Sequence, residues 1–117
     1  MEVRQILARL YVERMDEAIV FYEDVLSTNC ELRFALPGSK VEVARIGNLL
    51  IFSGSKKALQ AVRDIQATFL VDSLTECREY LERNGGEILN GPMELPVGKV
   101  ITVRHEDGTV VDYAEQG

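Results

Sequence analysis

The sequence predicts an α+β domain made of two copies of one strand–helix–strand–strand–strand unit. Two internal echoes and the order of the elements around them carry this. The stretch Leu10–Leu26 reads as a strand end, a short turn and an amphipathic helix. It returns from Phe69 onward, with Val12 falling on Val71, Met15 on Leu74, Glu17 on Glu76 and Phe21 on Tyr80. A second echo sets Gly47–Phe52 against Gly108–Tyr113. Two echoes in the same order at nearly the same offset mark a duplicated unit. In both copies the helical pattern is followed by short alternating segments separated by turn residues, as mixed sheets with one helix behind each require. The repeats span about 1–54 and 65–117 of a single domain, with residues 55–64 as the linker.

The first strand is expected over residues 5–12. Ile6, Ala8, Leu10 and Val12 alternate onto the face turned to the helix, and Leu7, Arg9 and Tyr11 onto the other. From Met15 to Leu26, Met15, Ala18, Ile19, Tyr22, Val25 and Leu26 recur at helical spacing. Asp16 and Glu17 suit the positive end of that helix. Ser27-Thr28-Asn29 stops it. Cys30–Leu36, Val41–Ile46 and Leu49–Ser53 alternate as strands, the last two joined by a tight Gly47-Asn48 turn. Lys56–Val62 is short and weakly patterned, and reads as a loop. Ala67–Val71 is the fifth strand. The second helix begins with a capping box, Ser73 to Glu76, and ends at Asn84-Gly85-Gly86. Glu87–Leu89 is a short strand, and Pro92 and Pro96 make Gly91–Gly98 a loop or an edge. Val100–Arg104 and Val110–Ala114 close the chain as a hairpin.

Composition excludes several classes. At 117 residues with 46% hydrophobic and 27% charged, the chain is an ordinary globular domain. A formal charge of −6 argues against a nucleic-acid surface. No apolar run approaches the roughly 20 residues of a membrane helix, and the start of the chain lacks the layout of a signal peptide. Two cysteines, Cys30 and Cys77, suit a reduced cytoplasmic protein better than a disulfide scaffold. They are expected to stay unpaired.

Three groups of residues, Tyr11-Val12 with Ala18 and Phe21-Tyr22, then Phe69, Val71-Asp72 and Asn84-Gly85-Gly86, then Glu106-Asp107-Gly108 with Asp112, together resemble the vicinal oxygen chelate superfamily. That superfamily holds glyoxalase I, extradiol dioxygenases, fosfomycin-resistance enzymes and bleomycin-resistance proteins. The resemblance covers essentially the whole chain and rests on order and spacing. It implies two βαβββ half-barrels, each curled around a ligand cavity and related by a pseudo-twofold axis, and a homodimer. Metal-dependent members place His or Glu at four inward positions. Carried onto this chain, these are Leu7, Ile51, Gln66 and Asp112. Two are aliphatic and one is an amide, so the donor set does not suit a divalent ion. The expectation is no metal and no cofactor.

Other catalytic arrangements are equally thin. His105, the single histidine, reads as an exposed turn residue, and Cys77 reads as core beside Leu74 and Leu81. The polar residues left on the inward face are Arg9, Tyr11, Gln66, Thr68 and Asp112. They read either as a solvated sheet face or dimer contact, or as the anchors of a ligand pocket with Leu7 and Ile51 as its apolar wall. The sequence reading is a metal-free small-molecule binder that pairs with a second copy, with Arg9 as the partner of Asp112. The alternatives are a lyase, isomerase or dioxygenase related to glyoxalase I, with Asp112 as a base, and a structural or regulatory dimer without a ligand.

Overall fold

The computed structural model describes residues 1–116. Along the chain run β1 (Val3–Val12), α1 (Met15–Leu26), β2 (Leu32–Ala35), β3 (Glu42–Ile46), β4 (Leu49–Ser53), α2 (Lys56–Leu59), β5 (Ile65–Val71), α3 (Leu74–Arg83), β6 (Glu87–Leu95), β7 (Gly98–Arg104) and β8 (Val110–Glu115). The βαβββ order is present twice, as the echoes predict. The compact units, however, are Ala8–Asp64 and Met1–Leu7 with Ile65–Gly117. The first seven residues therefore pack with the second repeat, and β1 contributes a half to each unit.

In the Ala8–Asp64 unit, β1 runs parallel to β4, and β4–β3 and β3–β2 are antiparallel. The register sets Leu10 beside Ile51 and Ile51 beside Ala44. α1 covers that face, with Met15 and Ala18 packed on Ala44, Ile46 and Ile51 and flanked by Val12, Ile19, Tyr22 and Leu49. The helix has no side-chain cap at Arg14 and ends on Ser27 in the left-handed region, φ 50°. The cluster closes over its first two turns. Val25 and Leu26, assigned by spacing to the inward stripe, lie beyond it and are exposed, as are Val20 and Phe21. Residues 55–64, which the sequence presents as a loop, contain the one-turn helix α2. It is started by Ser55, whose Oγ accepts from the Ala58 N–H at 3.1 Å. Leu59 and Val62 bury themselves from this segment.

In the other unit, the Val3–Leu7 half of β1 is antiparallel to β5, β5 is parallel to β8, and β8–β7 and β7–β6 are antiparallel. α3 lays Leu74, Cys77 and Leu81 on Val71, Ile101, Val103, Val111 and Tyr113. Its start is doubly tied. Ser73 Oγ accepts from the Glu76 N–H at 3.2 Å, and Glu115 Oε1 accepts from the Leu74 N–H at 2.6 Å. Its end is closed by the Gly86 N–H on the Leu81 carbonyl at 2.7 Å, with Gly85 at φ 84°. β6 runs on through Pro92, where the sequence predicts a loop or an edge. It lies at the sheet edge with only β7 as partner, so the missing N–H of Pro92 disrupts no second ladder. The β6–β7 register breaks between Asn90 and Met93, around Gly91 at φ 92°.

The two faces of β1 are unequally covered. Ile6 is 58% exposed and Ala8 is also exposed, although alternation assigns both to a helix-covered face. The buried residues are Leu7 at 0% and Arg9 at 9%. Among the described residues, no helix is long and apolar enough to cross a membrane.

Candidate functional site

The face of the Ala8–Asp64 sheet opposite α1 carries a charged and aromatic cluster. Arg9 pairs with Leu50 and Tyr11 with Phe52 across β1 and β4, which puts all four on this face. The Arg9 guanidinium carbon sits 4.0 Å from the centre of the Phe52 ring, a cation–π contact. Arg9 Nε donates to the Tyr11 hydroxyl at 2.9 Å. The Tyr11 hydroxyl donates in turn to the Val62 carbonyl at 3.0 Å, and Arg9 Nη2 reaches that same carbonyl at 3.4 Å. Arg63 lies over the Tyr11 ring at 6.0 Å. Residues 62–63 of the inter-repeat segment therefore lie on this face. Arg45 follows Leu50 in the same cross-strand row, also 9% exposed, with Nε donating to the Gly47 carbonyl at 2.9 Å and Glu31 at 3.4 Å.

In the other unit one cross-strand row holds Leu7, Thr68, Asp112 and Thr102. It lies on the face opposite α3, because Phe69, Val71 and Tyr113, the neighbours in alternation, pack under that helix. Thr68 is 2% exposed, and Asp112 is half-buried with its Oδ1 accepting from Thr102 Oγ1 at 2.5 Å. Gln66 is exposed where the β5–β8 register shifts between Ile65 and Thr68. Thr102 is not among the residues that the sequence reading singles out. Its place two positions from Val100, opposite Asp112 in the closing hairpin, is the signal that could have found it.

Ile51 is a correction. It packs under α1 with Met15, Ala18 and Ala44 and lines no inward face; Leu50 and Phe52 take that side. The cause is hairpin phase. The first hairpin closes on the helix-side pair Ile46–Leu49, whereas the second closes on Arg104–Val110, on the opposite face. Counting four residues from Gly47 thus reaches the helix-covered face at Ile51, whereas counting four from Gly108 reaches the uncovered face at Asp112.

His105 is also more engaged than a turn residue. Its Nε2 lies 2.6 Å from the Tyr113 hydroxyl, on the α3 side and away from the polar row. Burial pushes the Tyr113 phenol up to about 12, and it pushes the Cys77 thiol up to about 11. Neither is poised to act as a base or nucleophile near neutrality. Cys30 and Cys77 are free thiols.

The metal positions carried over from the resemblance do not fit a divalent ion. Leu7 offers no electron pair, and neither Ile51 nor the Leu50 that replaces it on the inward face does. Asp112 already accepts from Thr102. Among the described residues, no three His, Cys, Asp or Glu side chains gather at metal-binding distance. Open clefts of about 780 and 610 Å³ lie elsewhere, the first at the β6–β7 turn around Val97 and Lys99, the second between the chain start and Tyr80 of α3.

No family model matches the sequence, and no functionally curated protein matches it. Solved structures do. An uncharacterised protein from Methanosarcina mazei is 47% identical, with 100% of this chain and 95% of that one covered at a TM-score of 0.93. Methylmalonyl-CoA epimerase from Streptomyces coelicolor, solved with 2-nitronate-propionyl-CoA, is 10% identical over 99% of both chains at a TM-score of 0.80. The Mycobacterium tuberculosis epimerase is 13% identical, with 98% of this chain and 89% of that one covered at 0.81. The likeness to the two epimerases shows the fold, which is glyoxalase/bleomycin-resistance-like.

Proposed function

From the premise that this chain belongs to one family with the uncharacterised Methanosarcina mazei protein, we propose that it binds a small organic anion without a metal ion. The observation that carries this reading is Arg9, nine-tenths buried, stacked on Phe52 and steadied by Tyr11 on the face opposite α1. A planar guanidinium on an aromatic ring is suited to carboxylate and phosphate groups. The fold neighbours give the anion precedent, since several methylmalonyl-CoA epimerase structures are solved with methylmalonyl-CoA or 2-nitronate-propionyl-CoA. Within the Ala8–Asp64 unit Tyr11 is the further polar anchor, and Leu50 and Phe52 form the apolar wall in place of Ile51. Free thiols at Cys30 and Cys77 suit a reducing compartment such as the cytoplasm. The edge strands β2 and β6 and the exposed apolar residues of α1 support pairing of two chains.

A structural role is favoured by one observation, the Val62 carbonyl that takes donors from both Arg9 and Tyr11. The lyase, isomerase or dioxygenase reading finds less support, because Asp112 accepts from Thr102 and the His105–Tyr113 pair lies under α3. Native mass spectrometry with calorimetric titration tests the proposal. Twice the chain mass, no stoichiometric transition metal, and saturable binding of malonate or methylmalonyl-CoA that is lost in Arg9→Met are expected. Binding that survives Arg9→Met, or one metal ion per chain, refutes it.

A further inference from the structure

The Val62 carbonyl takes up donors that the candidate face would otherwise present. Two donors from β1, Arg9 Nη2 and Tyr11 Oη, converge on this single acceptor at 3.4 and 3.0 Å. A carbonyl oxygen has two lone pairs and can take both, as can the oxygens of a carboxylate. The acceptor belongs to residues 55–64, whose turns are closed locally. The backbone N–H groups of Leu59, Gln60, Val62 and Arg63 bond within the segment, to Ser55, to Lys57 and twice to Leu59. Contacts that hold it on the sheet include the burial of Leu59 and Val62, the placement of Arg63 over Tyr11, and the two donors on the Val62 carbonyl. Neutral-to-charged exchange at such a donor pair is favourable, because hydrogen bonds to an ionised acceptor are about twice as strong as those to a neutral one.

We infer that the 55–64 segment is a strap whose Val62 carbonyl is a built-in stand-in for the ligand, and that a carboxylate displaces it. The inference rests on the proposed anion-binding role and deepens it in two respects. It names the ligand group as a carboxylate that accepts from Arg9 and Tyr11 together. It also makes binding a release of the strap, so occupancy of the site is reported at Ala58–Arg63.

Hydrogen exchange resolved to the amides of residues 58–63 tests this on the whole chain. Without ligand, Tyr11→Phe removes one donor and Arg9→Met another, and each should speed exchange there by roughly five- to tenfold with α3 amides unchanged. In the unaltered chain, malonate should speed the same amides saturably, whereas chloride at equal ionic strength should not. Exchange at 58–63 that is unmoved by Tyr11→Phe overturns the latch. Malonate that slows these amides overturns displacement yet leaves anion binding standing, whereas malonate without effect on exchange or on calorimetric heat removes both. An acceleration by malonate that persists in Arg9→Met also overturns the inference, since the carboxylate would then act elsewhere.

Discussion

Raising the pH should weaken the α3 unit through two named groups. Cys77 is fully buried under α3, and burial lifts its thiol to about 11 from an ordinary 9.0. Tyr113 is 4% exposed in the same cluster, and burial, with the nearby Cys77 and Tyr80 charges behind it, lifts its phenol to about 12 from 10.0. Both groups hold their protons more tightly when folded. Their contribution is therefore fully present below the unfolded values and is lost as the pH rises toward the folded ones. Each unit of displacement is about 1.4 kcal/mol. At about pH 11 the Cys77 share lost is about 2 kcal/mol and that of Tyr113 about 1 kcal/mol. Against a total stability of roughly 5–15 kcal/mol, such a loss is measurable. Urea melts at about pH 8 and about pH 11 should show Cys77→Ala losing about 2 kcal/mol less than the parent chain, and Tyr113→Phe about 1 kcal/mol less. Each substitution has its own packing cost, but that cost appears at both pH values and cancels in the difference. Three chains that weaken in parallel would refute the assignment of these two groups.

Two further outcomes concern α3 and the sheet edge. Ser73→Ala removes the hydroxyl that accepts from the Glu76 N–H and should cost about 1 kcal/mol in urea melts, with exchange rising at Thr75 and Glu76 first. A loss confined to other elements would contradict the cap. Gly91→Ala places a Cβ against the Val100 carbonyl at a positive φ and should cost several kcal/mol, roughly 2–4. Unchanged melting would mean that β6 does not follow this path.

The fold is legible in the sequence because burial under each helix is strongly periodic. Leu74, Cys77 and Leu81 are spaced to meet alternating strand residues such as Val71, Ile101 and Val103, and the capping residues fix where α3 starts and stops. Ile51 is misread because Gly47 and Gly108 look alike, although their hairpins close on opposite faces of the sheet. One turn of helix at Lys56–Leu59 has a single buried residue, Leu59, which is too little for a periodic signal. β6 is hidden by Pro92, which only an edge position tolerates. The candidate face is partly readable from the alternation of Leu7, Arg9 and Tyr11. The Val62 contact is not, because a backbone carbonyl leaves no mark in a sequence.

The division of β1 between two units bears on the order in which the chain is made. Ala8–Asp64 is continuous, so every pairing it needs is available once about half the chain has been synthesised. The Met1–Leu7 segment emerges well ahead of its ladder partners in β5, where Val3 meets Val71 and Leu7 meets Thr68. At roughly 5–20 residues per second, that segment waits several seconds for its strand to arrive. A cut after Asp64 would leave a unit with all of its own strands and an orphaned heptad at its head. A cut after Leu7 would instead deprive the Ile65–Gly117 unit of the β1 ladder on β5. One strand with two allegiances makes the first repeat autonomous in synthesis and the second dependent on residues laid down long before it.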